Sequence, residues 1–338
     1  MTIKLVYMRK LFFVFGLLMI FGRGYAQVDP HFSQYYAYPL WLNPAMTGVI
    51  DGDMRINLNY RNQWNNITNP FVTAGLSVEG VTDKNINWGL NLLDQSAGDA
   101  GYNYFNGYAS LAYTGVKFGA QQMTHLTLGL QAGLLGRSLD PSKFEWGSQY
   151  NPLTGFDASA PSNEFLTKTS SNVFDANFGA LLYDGNPNHT INAYIGAAAA
   201  HLTQPSDPFL STNNYHLPVR YTIHGGARFI LSEELSITPN ALYMRQGNAD
   251  ETMVGAYAQL VVNETSDLLL GVDYRVKDAV VPYLGFRYQD VTVGVSYDVN
   301  ASSLDQLATG SNAFELSLSY TVHKKRVFPK DHFFCPRL

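Results

Sequence analysis

Eight histidines and a single cysteine are the residues of this 338-residue chain best suited to metal, acid–base or nucleophilic chemistry. Their spacing supports none of these. No two histidines stand at metal-ligand spacing, and no G-x-S-x-G, H-E-x-x-H, Walker-type or paired-cysteine motif occurs. His31, His125, His224 and His323 are read as polar residues of a lumen or loop, and the chain is expected to be no enzyme and to carry no cofactor or metal. Cys335 has no partner cysteine, which excludes an internal disulfide framework. The net charge of −5 gives no basic footprint for nucleic acid. The chemistry left is that of binding: charged and amide side chains set singly between apolar neighbours, and many aromatic rings. Arg55, Arg61, Asp175, Asn177, Asp273 and Arg275 are mixed in sign, which argues against a strongly selective ion pore.

The elements that must position these side chains are strands. In Met54-Arg55-Ile56-Asn57-Leu58-Asn59-Tyr60-Arg61 apolar and polar residues alternate strictly, the period of a strand with two different faces. Phe174 to Leu182 and Phe314 to Val322 repeat the pattern. About fourteen such segments follow one another, near 54–62, 71–80, 86–94, 103–114, 124–136, 172–183, 190–200, 217–230, 235–244, 252–262, 267–275, 279–288, 291–299 and 312–322. Most have the roughly 9–12 residues that a tilted strand needs to cross a bilayer. Connections after even segments are short, and the long ones, 137–171, 201–216 and 300–311, all follow odd segments. Short periplasmic turns alternating with longer outer loops mark an outer-membrane barrel, whereas a soluble sandwich has no reason to sort its loops. Only 14% of residues are charged, against roughly 25% in soluble proteins, and there are 22 Tyr and 20 Phe. The fold expected is all-β: a transmembrane antiparallel β-barrel of about 14 strands in the outer membrane of a Gram-negative cell. Met54, Ile56, Leu58 and Tyr60 should face lipid, and Arg55, Asn57 and Asn59 the lumen. Tyr60, Trp64, Trp88, Tyr102, Tyr104, Tyr183, Tyr243 and Tyr297 fall near segment ends, where an aromatic girdle lies. Pro239 and Pro282 fall inside segments and suggest bulges or kinks.

The two ends do not read as barrel. Residues 1–26 have the form of a signal peptide, with Lys4, Arg9 and Lys10 before an apolar run and Gly24-Tyr25-Ala26 before the cut. Residues 27–53 carry DPHFSQYYAYPLWLNPAMTG, in which Pro39 and Pro44 break both helix and strand. So aromatic a segment must pack in the lumen as a plug, on the periplasmic rim or on a partner, and 29–48 is expected to close the periplasmic side. The barrel spans 54–322, and 323–338 forms a short periplasmic tail with a basic run and an apolar end. In loop 137–171, Phe144, Trp146, Tyr150, Phe156 and Phe165 stand among little charge, a composition suited to anchoring a protein partner or to folding back over the pore.

Phe32-Ser33-Gln34-Tyr35, Leu42-Asn43-Pro44-Ala45 and Gly48 after an export signal, the barrel, and Phe334-Cys335-Pro336-Arg337 near the end together resemble the PorP/SprF family of the type IX secretion and gliding-motility machinery of Bacteroidetes. Leu338 stands where the family form has an aromatic. The resemblance covers the mature chain. It implies an outer-membrane barrel that binds and helps secrete or surface-attach large adhesin-type proteins through their C-terminal domains, alongside other type IX components. The alternative is a channel for hydrophobic compounds or small solutes, since about fourteen strands with an N-terminal plug also resemble the fatty-acid transporter architecture. A third reading is a structural barrel linking the membrane to periplasmic partners.

Overall fold

The computed structural model describes residues 29–64, 69–98, 101–119, 121–162, 169–206, 216–302 and 312–323. The signal-peptide region, Phe165, and the tail with Phe334, Cys335, Pro336 and Arg337 lie outside the described residues.

Fourteen strands form one closed barrel. They are β1 Met54–Gln63, β2 Phe71–Gly80, β3 Ile86–Ala97, β4 Tyr102–Phe118, β5 Thr124–Ser138, β6 Ser170–Asp184 and β7 Ile191–Ala200, followed by β8 Arg220–Ile230, β9 Leu235–Gln246, β10 Ala249–Asn263, β11 Ser266–Arg275, β12 Ala279–Tyr288, β13 Val291–Asn300 and β14 Ala313–Val322. Each strand pairs antiparallel with its chain neighbours, and β1 pairs with β14 from Met54↔Val322 to Gln63↔Ala313. Closure leaves no edge with unpaired backbone groups, which the hydrocarbon layer could not hydrogen-bond.

The period-two pattern decides which side chains meet lipid. Along β1, Leu58 and Tyr60 are exposed on the outer surface while Asn57, Asn59 and Arg61 are buried inside. Leu111, Leu130 and Phe178 are cross-strand partners on β4, β5 and β6, and all three point outward. Alternation also corrects the girdle. Tyr60, Trp88, Tyr243 and Tyr297 are on the outside, but Tyr104 and Tyr183 are buried and face the lumen. The lumen is not a wet pore lined only by polar groups, so its wall can hold aromatic rings.

The prolines do not make bulges. The β8–β9 register runs unshifted from Gly226↔Asn240 to Phe229↔Ile237, skipping the pairs beside Pro239. The β12–β13 register likewise runs from Val280↔Val299 to Tyr283↔Ser296 past Pro282. Each proline stays paired on its other side, with Ala256 and Val272 respectively, so the missing N–H opens the ladder on one side only. The register shifts lie instead between Tyr113 and Val116 on β4 and between Val261 and Asn263 on β10.

The long connections, 139–169, 201–219 and 301–312, all lie at one end of the barrel, and the turns 231–234, 264–265 and 289–290 lie at the other. The short-turn end is the periplasmic one in barrels of this kind. The 139–169 loop carries a small hairpin, Tyr150–Asn151 against Gly155–Phe156.

Leu130 is 64% exposed near the middle of β5, so Leu130→Arg should cost roughly 2–4 kcal/mol as a charge at mid-bilayer. Urea titration of vesicle-inserted protein measures the loss. A change below about 1 kcal/mol, the value for interface positions, would show that this row does not sit at the membrane centre.

Candidate functional site

Segment 29–53 fills the barrel. It lies in the lumen, as neither a rim nor an extended strand, because its prolines allow only short turns: a 3-10 turn at Tyr35–Ala37, one helical turn at Pro39–Leu42 and a 3-10 turn at Pro44–Met46. Every residue from Asp29 to Ile50 except Ala37 is buried. Two apolar clusters hold it. Tyr35, Tyr36, Leu42, Ala45, Met46 and Val49 pack on Leu181, Tyr183, Tyr194, Leu242, Met253 and Val281 of the wall. Phe32, Tyr38 and Trp41 pack on Leu93, Tyr104, Tyr108, Leu135 and Leu217.

Polar residues of the segment then meet polar residues of the wall one by one. The two Glu315 carboxylate oxygens accept from the backbone N–H of Ser33 (2.5 Å) and of Gln34 (2.8 Å). Ser33 Oγ donates to Asp298 Oδ2 at 2.8 Å, and Arg61 and Arg275 each donate to Ser33 Oγ and to the same Asp298 oxygen. Arg61 also pairs with Glu315. The Gln34 amide donates to Ser296 Oγ (3.0 Å) and accepts from Ser317 Oγ (2.6 Å). Tyr35 donates to Asn240 at 2.6 Å. Asn43 caps its own turn by accepting from the Ala45 N–H at 2.9 Å. Its amide nitrogen reaches the Ala180 carbonyl and, at 3.0 Å, His224 Nε2.

Glycine is required where the segment touches the wall most closely. A Cβ on Gly179 would stand 1.9 Å from Asn43 Oδ1, and one on Gly129 2.3 Å from the Pro44 backbone. Gly48 has φ +71, its N–H donates to Glu79 Oε2 at 2.6 Å, and a Cβ there would overlap Asn87. Only glycine takes that backbone at no steric cost.

A second charged knot forms around Asp29, at the long-loop end. Asp29 Oδ2 lies 2.7 Å from His201 Nε2 and 3.0 Å from Arg220 Nη1. His201 Nδ1 lies 2.6 Å from Asp175 Oδ2, which also accepts from the Tyr108 hydroxyl at 2.7 Å. Arg220 donates to the Trp41 carbonyl at 3.1 Å, with its guanidinium 4.2 Å from the Trp41 ring centroid. Burial opposes a charge on His201, but the Asp29 charge and hydrogen bonds to Asp175 and Asp29 outweigh it and raise its pKa to about 9. Burial likewise raises Asp29, yet the His201 and Arg220 charges hold it below the ordinary carboxylate range.

The segment thus runs from this knot at the long-loop end to Asp53, whose carbonyl accepts from the Val81 N–H at the short-turn end. Two charged anchors lie at the long-loop end and Glu79 holds Gly48 at the short-turn end, where a cavity of ≈ 320 Å³ remains between the segment and strands β10 to β14. Among the described residues no group of three or more His, Cys, Asp or Glu could hold a metal ion.

Of the motif residues, Phe32, Ser33, Gln34, Tyr35, Leu42, Asn43, Pro44, Ala45 and Gly48 come together in this lumen interface. The loop residues do not join them. Phe144 contacts Trp146 (ring centroids 5.2 Å apart) and Tyr150 contacts Phe156 (5.5 Å) in the outer loop. Sequence reasoning missed Glu79, His201, Arg220, Asp298 and Glu315, whose only mark was to be polar on an inward face or beside a strand end.

A family model described as type IX secretion system membrane protein PorP/SprF matches residues 24–320. No curated protein matches the chain significantly. Among solved structures the fold is similar to the Ralstonia pickettii toluene transporter TbuX, at 10% identity and TM-score 0.51, over 84% of this chain and 93% of that one. The Pseudomonas putida toluene transporter TodX aligns at 13% identity and TM-score 0.47, over 84% and 93%. At such identities the likeness is one of fold.

Two measurements test the interface. Arg61→Met leaves Asp298 and Glu315 facing each other with one guanidinium fewer, and breaking a buried pair from one side should cost about 3–5 kcal/mol. A loss under about 1 kcal/mol, the worth of a surface pair, would mean that the knot is hydrated. For His201 the folded pKa lies above the unfolded value of about 6.5. Its contribution is therefore complete below that pH and is lost as pH rises through about 9. The denaturant midpoint should fall between about pH 7 and pH 10, with a smaller fall in His201→Gln. Equal falls in both proteins would place the alkaline sensitivity elsewhere.

Proposed function

The chain belongs to the type IX secretion system membrane protein family PorP/SprF, and from that membership we propose that this outer-membrane barrel works by binding protein, through its outer loops, rather than by conducting solute. The observation that carries the reading is the filled lumen: from Asp29 to Ile50 the segment is buried against the wall, with side chains interlocked from Glu315 to Glu79. A diffusion path would require withdrawing two apolar clusters and two buried charge knots. The family is one of secretion membrane barrels and not a known enzyme family.

The cargo in this reading is the C-terminal domain of a large secreted adhesin, held for export or surface attachment with the help of other type IX components. The outer loop 139–162 is the contact surface best suited to it. Leu153, at the tip of its hairpin, is 95% exposed, and Tyr150 and Phe156 are exposed beside it. Exposed aromatics on a short, braced hairpin lose little freedom on binding, which is what makes such residues anchors. Gliding motility is the setting in which a surface adhesin so held would act.

Replacing 141–161 by a short Gly-Ser linker should abolish co-purification of the adhesin from native membranes while the barrel stays in the outer membrane. Normal co-purification would remove the loop as the site. Independently, the intact protein should be silent in planar bilayers and a 29–48 deletion should conduct. Conductance by the intact protein with solute uptake would favour the channel reading.

A further inference from the structure

The cavity at the short-turn end is not used by the segment that fills the rest of the lumen. One side of its inner wall is apolar and aromatic, set beside the amide and hydroxyl groups of Asn57, Gln259 and Ser317. Tyr36 from the segment meets Tyr257 and Tyr283 of the barrel at ring-centroid distances of 6.0 and 5.6 Å, and Ile50 and Leu269 complete the surface. Its mouth lies between the turns that carry Glu264 and Asp290, with Asp51 opposite. The two cations at the mouth are matched by buried carboxylates: Arg55 by Glu79 at 2.6 Å and Arg287 by Asp267 at 2.5 Å. Asp51 and Glu264 form no ion pair among the described residues, and Asp290 shares its charge with His323. Three carboxylates thus stand at the rim, and an apolar face of Tyr36, Tyr257, Tyr283, Ile50 and Leu269 lies within.

The chain leaves the barrel at this rim. His323 itself lines the cavity, with Nδ1 2.9 Å from Asp290 Oδ1 and Nε2 2.6 Å from the Asp51 carbonyl. The residues that follow, 324–338, are outside the described residues. Their sequence begins Lys324-Lys325-Arg326-Val327-Phe328, a basic triplet and then an apolar pair. We propose that this cavity is the docking site of the chain's own tail, the basic triplet lying across Asp51, Glu264 and Asp290 and the apolar side chains entering against the tyrosines. Charge order and apolar order in the tail match those from rim to interior. His323, held by Asp290 and the Asp51 carbonyl, is the described residue from which the tail continues.

The tether makes a weak site sufficient. A short flexible connection gives an effective concentration of about 1 mM, so an intrinsic affinity of about 0.1 mM would leave the cavity about 90% occupied. A reporter is Thr292→Cys, whose position lines the cavity, in a Cys335→Ser background. It would be labelled with a polar maleimide in detergent-purified full-length protein and in the same protein ended after His323. Heat-modifiable migration on gels checks that both barrels are folded. The tail should slow labelling about ten-fold, as that occupancy requires, and Lys324→Glu with Lys325→Glu and Arg326→Glu should restore the fast rate. Equal rates with and without the tail would overturn the proposal. So would slow labelling that survives removal of the tail, which would mean that another occupant or the barrel itself shields the site. Protection that survives the charge reversal would overturn the pairing with the acidic rim.

Discussion

Around Ser33, two guanidiniums and two carboxylates meet in the part of the lumen that the segment fills: Arg61 and Arg275 against Asp298 and Glu315. In an aqueous pore such residues would be hydrated and their geometry of little consequence. Here Arg61, Asp298 and Glu315 are almost wholly buried, so each charge needs a partner at hydrogen-bond distance or the fold bears the full desolvation cost. Four side chains cannot satisfy one another's hydrogen-bonding atoms completely. Further positions are taken by the Ser33 hydroxyl and by the backbone N–H groups of Ser33 and Gln34. The segment is thus the missing ligand of the wall's charges, and the wall is the core that an aromatic segment of this length cannot build for itself.

Small residues follow from that mutual dependence. Where the 3-10 turn around Pro44 approaches β5 and β6, the wall offers Gly129 and Gly179, since side chains there would occupy the space of Asn43 and Pro44. The same turn has its main contacts along β4, β5, β6 and β7. The side lined by β10 to β14 keeps the apolar tyrosine surface and the open cavity of the short-turn end.

The strands were legible in the sequence because alternation is a local property and the bilayer imposes its length on every strand. All fourteen stand where the period-two segments lie, and the loop lengths sort by end as parity suggested. The interior was less legible for a physical reason. A polar inward residue looks the same whether it faces water or a buried partner, and the partners here are far apart in the chain: Asp29 and His201 are separated by 172 positions, Ser33 and Glu315 by 282. One signal was available and pointed the right way. Tyr104, Tyr183, Leu93, Leu135 and Leu242 put apolar side chains on the face that a wet lumen would keep polar, so the wall itself recorded that something greasy lies inside. Tyr104 and Tyr183 were read as girdle residues because position near a strand end was weighed above parity.

Strand order gives the interface a direction in assembly. The segment precedes β1 in the chain, yet the groups that hold Ser33 and Gln34 come from β13 and β14, the last strands made. The same β14 closes the barrel by pairing with β1 over their full length. Until β14 arrives, Arg61 on β1 has no Glu315 and the Ser33 and Gln34 N–H groups have no acceptor. Once it arrives, closure and capture are one event, because Glu315 lies opposite Arg61 in the β1–β14 register. The polar groups that give this barrel its filled interior therefore also couple closure to filling, since Glu315 serves Arg61 across the closing seam and Ser33 and Gln34 in the lumen.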